Sequence, residues 1–151
     1  MNKIHESWMN LALIEARKAF SNKEIPVGAI IVKDNKIIGK GYNQVELLKD
    51  STAHAEMIAI TSASNTLSDW RLNDCDMYVT LEPCHMCAKA IVDARMNHVY
   101  FAAREPKTGA IESIDKFFEK SHLNHKVNSS GGYLEGESSK LLKEFFHSRR
   151  N

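Results

Sequence analysis

Two short stretches carry side chains that could hold a metal ion and move protons: His54-Ala55-Glu56, and Pro83-Cys84-His85-Met86-Cys87. Zinc takes imidazole nitrogen at about 2.0 Å and thiolate sulfur at about 2.3 Å, and a catalytic zinc keeps three protein ligands with a fourth position open to water. His54, Cys84 and Cys87 supply three such ligands. Cysteines three residues apart on a helix point the same way, so one ion can bridge Cys84 and Cys87 from the first turn of the helix that Pro83 introduces. The positive end of that helix favours the thiolate form that binds metal. Glu56 lies too close to His54 along the chain to fill the fourth corner comfortably, yet near enough to reach water there. It is expected to be the catalytic proton shuttle.

Each piece alone has a plainer explanation. A C-x-x-C pair is more often a structural metal clip, a redox pair or two packed thiols, and H-x-E alone is weaker still. Joined in this order, with proline directly before the first cysteine, they form the H-x-E…P-C-x-x-C pattern of zinc nucleobase deaminases. His85, between the cysteines, would have to turn back around its helix to reach the same ion, and is expected to face away. His5, His98, His122 and His147 fall where surface or strand-end histidines are ordinary.

These residues need elements to position them. Trp8, Leu11, Ala12, Ala16, Ala19 and Phe20 recur at helical spacing and predict a first helix over 4–20 with one buried stripe. Pro26 ends it. Val27–Val32 and Ile37–Tyr42 are apolar runs around Lys33-Asp34-Asn35-Lys36, which predicts a β-hairpin. Residues 43–52 are expected to form a surface loop. Thr52 is expected to cap a helix that holds His54 and Glu56 in its first turn and ends near Asn65. Strands are predicted over 77–81 and 98–103, with the second metal-bearing helix over 84–95 between them. A short helix around 114–119, a weak strand over 125–128 and a last helix from about Glu137 complete the chain. Strands alternating with helices after a hairpin indicate an α/β layered domain with a mixed sheet.

The 151 residues suit one domain, large enough to bury roughly two-thirds of its unfolded surface without disulfides. Cys75, outside the metal motif, is expected to be a buried inert thiol. No charged-then-apolar leader opens the chain and no apolar run approaches the ~18 residues of a membrane span, so a cytoplasmic location is expected. A net charge of +1 neither favours nor excludes a polyanionic partner. The C-terminus is different: Lys140, Lys143, Arg149 and Arg150 face a single Glu144, with His147 as a further donor. A solvated helix end and a phosphate-binding surface both explain that balance.

The motifs resemble the cytidine deaminase-like superfamily and, more narrowly, the bacterial tRNA adenosine deaminases. The resemblance spans nearly the whole chain. It takes in Glu24-Ile25-Pro26-Val27-Gly28-Ala29, Gly41-Tyr42-Asn43, Thr52-Ala53-His54-Ala55-Glu56, Tyr78-Val79-Thr80-Leu81-Glu82-Pro83-Cys84, Lys107-Thr108-Gly109, Asn124-His125, Phe145-Phe146 and Arg149-Arg150. It implies a three-layer α/β/α fold around a central mixed sheet of about five strands, and one zinc-dependent deaminase domain over 1–151 with a basic C-terminal helix. It further implies that His54, Cys84 and Cys87 bind Zn2+, that Glu56 is the general acid/base, and that Asn43 hydrogen-bonds the target base. Val27, Gly28 and the backbone at Ala55 would line the pocket. Glu105 and Lys107 would bind substrate, and Phe145, Phe146, Arg149 and Arg150 would contact tRNA.

The implied reaction is hydrolytic deamination at carbon 6 of adenine, turning the wobble adenosine in the anticodon loop of an arginine tRNA into inosine. An unstacked loop base can be splayed into a pocket without opening a duplex. A homodimer is also implied. Three positions depart from the family pattern: Glu105 replaces a usual aspartate, Lys89 a usual glycine, and Glu112 a usual small residue. Two other readings share the motif: a guanine, cytosine or nucleotide deaminase, and a non-catalytic zinc-clipped RNA-binding module in which Cys75 or His85 closes the coordination sphere.

Overall fold

The computed structural model describes residues 3–149; Arg150 lies outside them. The chain runs α1 (Lys3–Ser21), β1 (Gly28–Lys33), β2 (Lys36–Tyr42), α2 (Val45–Leu48), α3 (Ala55–Leu67), β3 (Asp76–Leu81), α4 (His85–Asp93), β4 (His98–Ala103), β5 (Asn128–Gly131) and α5 (Glu135–Arg149). The strand order is β2-β1-β3-β4-β5. β1 pairs antiparallel with β2 and β3, whereas β3, β4 and β5 are parallel. Asp34 and Asn35 both adopt positive φ, the geometry a two-residue hairpin turn requires to match strand twist.

Alternation along the strands sends side chains to two cores. Ala29, Ile31, Met77, Val79, Val99 and Phe101 join Ala55, Ala59, Ala63, Ala88, Ile91 and Val92 on the α3/α4 face. Ile30, Val32, Tyr78 and Ala102 meet Met9 and Ala12 of α1 on the other, where α5 also anchors, the Ser138 hydroxyl donating to the Thr80 carbonyl at 2.5 Å. The result is the expected three-layer α/β/α arrangement with a five-stranded mixed sheet.

α3 lies unusually near β2. A Cβ placed on Gly41 would sit 2.5 Å from the Ala55 carbonyl oxygen, and one on Gly39 would sit 2.6 Å from the Ala63 amide nitrogen. Glycine on the strand and alanine at 55, 59 and 63 on the helix together permit this contact. It fixes the first turn of α3.

Several expectations need correction. Leu11 is exposed and the α1 stripe is instead Met9, Ala12, Leu13, Ala16 and Ala19; Ile4, Leu11 and Ile14 give the outer face apolar residues too, which blurs the periodicity. Residues 43–52 contain the one-turn helix α2. Thr52 does not cap α3, because its N–H and hydroxyl both donate to Asp50; the cap residue is His54. α4 likewise begins one residue later, capped by Cys84. The helix expected over 114–119 is a single 3-10 turn, Phe117–Glu119. The last strand, Asn128–Gly131, begins three residues later than expected. His5 is not an ordinary surface histidine: its Nδ1 lies 2.6 Å from the Tyr78 hydroxyl and its ring stacks on Tyr100.

Gly41→Ala is expected to destabilise the fold by about 1–3 kcal/mol through overpacking against α3. Chemical denaturation would show a lower midpoint; an unchanged midpoint would mean that α3 can withdraw at no cost.

Candidate active site

The N-termini of α3 and α4 converge at the carboxyl ends of β3 and β4, where ligands gather in open α/β sheets. His54 caps α3 and Cys84 caps α4, with Cys87 in the first turn of α4. His54 Nδ1 lies 3.7 Å from Cys84 Sγ and 3.6 Å from Cys87 Sγ. The three ligand atoms all fall within 4.8 Å of one another. A tetrahedral ion with bonds of about 2.0 and 2.3 Å would hold nitrogen and sulfur about 3.5 Å apart. The three residues therefore fit a metal ion. Among the described residues no other histidine, cysteine or acid joins the group. His85 points elsewhere, its Nε2 2.9 Å from Asp115 Oδ2, and the buried Cys75 thiol is pushed up to about 11 by desolvation.

The Cys84 thiol is held down to about 3, chiefly by its hydrogen bond with Cys87 and further by His54, with burial opposing. That same thiol–thiol bond shifts Cys87 upward. The hydrogen bond to Cys84 raises His54. Glu56 is 4% exposed, and desolvation pushes its carboxyl up to about 7 against the pull of neighbouring His54 and Cys87. A carboxyl poised there can both accept and release a proton near neutrality.

A cavity of about 570 Å3 opens over these groups, lined by His54, Glu56 and Cys84 at its base. Of the expected substrate-binding residues, Val27, Asn43 and Glu105 line it, as do Phe145, Phe146 and Arg149. Asn43 is 8% exposed, and its N–H donates to the Val27 carbonyl at 3.0 Å. Gly28 and Ala55 are not among the lining residues. A Cβ at Gly28 would point into α1, 2.2 Å from the Ala12 carbonyl oxygen, while Ala55 packs in the α3 core. Lys107 stands in an adjoining groove with Leu142, Lys143, Phe146, His147 and Arg149. The two terminal phenylalanines divide: Phe145 is buried edge-on against Phe20, and Phe146 is 46% exposed.

Two further residues at the cavity, Glu24 and Glu82, stand in stretches that carry the family resemblance but are given no role by it. Glu82, directly before Pro83, is buried and accepts hydrogen bonds from the N–H groups of Glu105, Ile111, Glu112 and Ser113 and from the Ser113 hydroxyl. Desolvation would raise its carboxyl, but these donors outweigh it and hold the group below the ordinary range. Without them a buried carboxylate would cost several kcal/mol. Glu24 is buried likewise and accepts from the N–H groups of Glu46 and Leu47. The sequence signal for each was its place in the motif stretches Glu24-Ile25-Pro26 and Leu81-Glu82-Pro83.

The MafB19-like deaminase family model matches residues 3–150. A protein of Aquifex aeolicus (strain VF5) named tRNA-specific adenosine deaminase is 48% identical over 97% of this chain and 96% of its own length. A solved structure described under A-to-I editing by tRNA:A34 deaminases at the wobble position of transfer RNA superposes with a TM-score of 0.87. It is 43% identical and covers 89% of this chain and 98% of that one. A guanine deaminase from Nitrosomonas europaea superposes with a TM-score of 0.77 over 93% of this chain and 83% of its own, but at 24% identity it shares the fold alone. Identity at the former level, over nearly the full length of both partners, makes the kinship plain: this chain belongs to the MafB19-like deaminases and, within them, to the family of the tRNA-specific adenosine deaminases.

Proposed function

We propose that this protein is a zinc-dependent tRNA adenosine deaminase that converts the wobble adenosine of an anticodon loop to inosine. One observation carries the reading: His54 and Cys84 of the metal-fitting group, together with the buried Glu56, line a cavity whose neighbour is a cationic groove. The chemistry zinc supplies in a three-ligand site is Lewis acidity, which makes water a nucleophile near neutral pH. Glu56 is placed to take a proton from the attacking water and to return one to the departing amino nitrogen, so adenosine and water would give inosine and ammonia. Val27 and Asn43 bound the base, and Glu105 faces the nucleoside from the opposite wall. Gly28 and Ala55 support the pocket through their backbones. Lys107, Phe146, Arg149 and Arg150 engage the flanking nucleotides, with Phe145 holding the helix that presents them.

The whole chain acts as one deaminase domain. The names of its relatives support a tRNA substrate. An arginine tRNA and a homodimer are proposed on the family resemblance. The cytoplasm is the proposed compartment; among the described residues no helix is long and apolar enough to cross a membrane.

The deciding assay incubates the purified protein with an arginine tRNA transcript bearing a wobble adenosine, and separately with guanine, cytosine and adenosine. Inosine in the anticodon loop with the small molecules untouched is the expected result; turnover of guanine or cytosine with intact tRNA would sink it. Cys87→Ala is expected to lose zinc and activity together, as metal analysis would report. Glu56→Gln should keep zinc while deamination falls by about 10² or more, the usual scale of acid–base catalysis. Phe146→Ala and Arg149→Ala should weaken tRNA binding with the unfolding temperature unchanged, and Arg149→Ala should also flatten its salt dependence. An altered unfolding temperature with intact binding would assign both to stability.

A further inference from the structure

Two loops wall the cavity, residues 43–52 and 104–113, and neither carries a member of the metal-fitting group. Each is fastened by one buried glutamate. Glu82, 3% exposed, receives the N–H groups of Glu105 at 3.1 Å, Ile111 at 3.1 Å, Glu112 at 2.8 Å and Ser113 at 2.9 Å. The Ser113 hydroxyl is a fifth donor. Gly109 passes so close that a Cβ there would lie 2.4 Å from the Glu82 carboxyl carbon. On the opposite wall Glu24, 2% exposed, receives the N–H groups of Glu46 at 3.2 Å and Leu47 at 2.6 Å.

A carboxylate offers about four lone-pair sites, so five donors leave Glu82 no capacity to serve as a base. Its role must lie in what it holds. Apolar packing alone would let a surface loop drift, whereas charge-assisted bonds to successive amides fix its backbone in register. We propose that Glu82 and Glu24 are positioning residues that set the width of the substrate cavity. Glu82 holds the wall bearing Glu105 and Thr108, and Glu24 holds the wall bearing Val45 and Glu46. Neither touches the reacting atoms. Since His54, Glu56 and Cys87 stand on or at α3 and α4, releasing a wall loosens the substrate and leaves the reacting groups in place.

The test uses the full-length zinc-loaded protein and three variants, Glu82→Gln, Glu24→Gln and Gly109→Ala. Hydrogen exchange, zinc content and steady-state kinetics on an anticodon stem-loop are measured for each. Glu82→Gln is expected to speed exchange of the 105–113 amides while 44–50 stay protected, and Glu24→Gln to do the reverse. Each should raise KM roughly tenfold while kcat changes less than about threefold, with zinc retained. Gly109→Ala leaves the carboxylate intact but pushes the loop from it, and should reproduce the Glu82→Gln pattern. If Glu82→Gln fails to fold, Gly109→Ala decides by the same criteria.

Faster exchange throughout the chain, or a fall in kcat at unchanged KM, would overturn the proposal. Its kinetic arm rests on the deaminase reading; its exchange arm does not. An unmodified protein that leaves tRNA untouched would therefore refute that reading, with the exchange pattern still deciding whether the two glutamates hold their loops.

Discussion

Three donor atoms that fit a metal ion meet within a few ångströms at the starts of two helices, and that meeting depends on how near α3 can come to the sheet. Metal bond lengths tolerate only about 0.2 Å. A single methyl group between β2 and α3 exceeds that margin. Gly39 and Gly41 remove the methyl on one side, and the alanines at 55, 59 and 63 keep the other side low. Pro83 places Cys84 at the exit of β3, so α4 starts at a fixed point relative to the parallel strands. The chemistry of the site thus begins with backbone packing between β2 and α3, well ahead of the cysteines along the chain.

Charge is divided between the two depressions. The cavity is lined by five glutamates, Glu24, Glu46, Glu56, Glu82 and Glu105, against Lys23 and Arg149. Two of those acids are turned inward and bound by amides. The groove beside it carries Lys107, Lys143, His147 and Arg149 and no acid. A neutral base suits the first surface and a phosphodiester backbone the second, which is the division that a nucleotide splayed from a loop demands.

Local signals made the clustering of His54, Cys84 and Cys87, the hairpin and β4 legible, because donor side chains, turn residues and apolar alternation are all written over a few neighbouring positions. Elements whose cause lies far along the chain were not. The strand Asn128–Gly131 has almost no apolar alternation; it is recruited by pairing with residues 98–101, and Gly131 makes room for the Phe101 ring. The helix Val45–Leu48 is only one turn long, and its N–H groups find their acceptor in Glu24, more than twenty residues earlier. Glu82 gave no sign that a loop beginning at residue 104 would close around it. Thr52 fitted a cap by type, but the nearer Asp50 carboxylate captured both of its donors.

The paired phenylalanines show how one helix serves two ends. Consecutive residues on a helix are rotated by about 100°, so Phe145 and Phe146, though both reach the cavity, take different neighbours. Phe145 turns inward onto Phe20, and the Arg149 guanidinium lies 5.4 Å from its ring centroid. Phe146 turns outward into the groove with Lys143 and Arg149. The core contact, with the Ser138 bond to the Thr80 carbonyl, sets the rotation of α5. That rotation decides which side chains face the groove, so the surface that α5 presents there is fixed by burial elsewhere on the same helix.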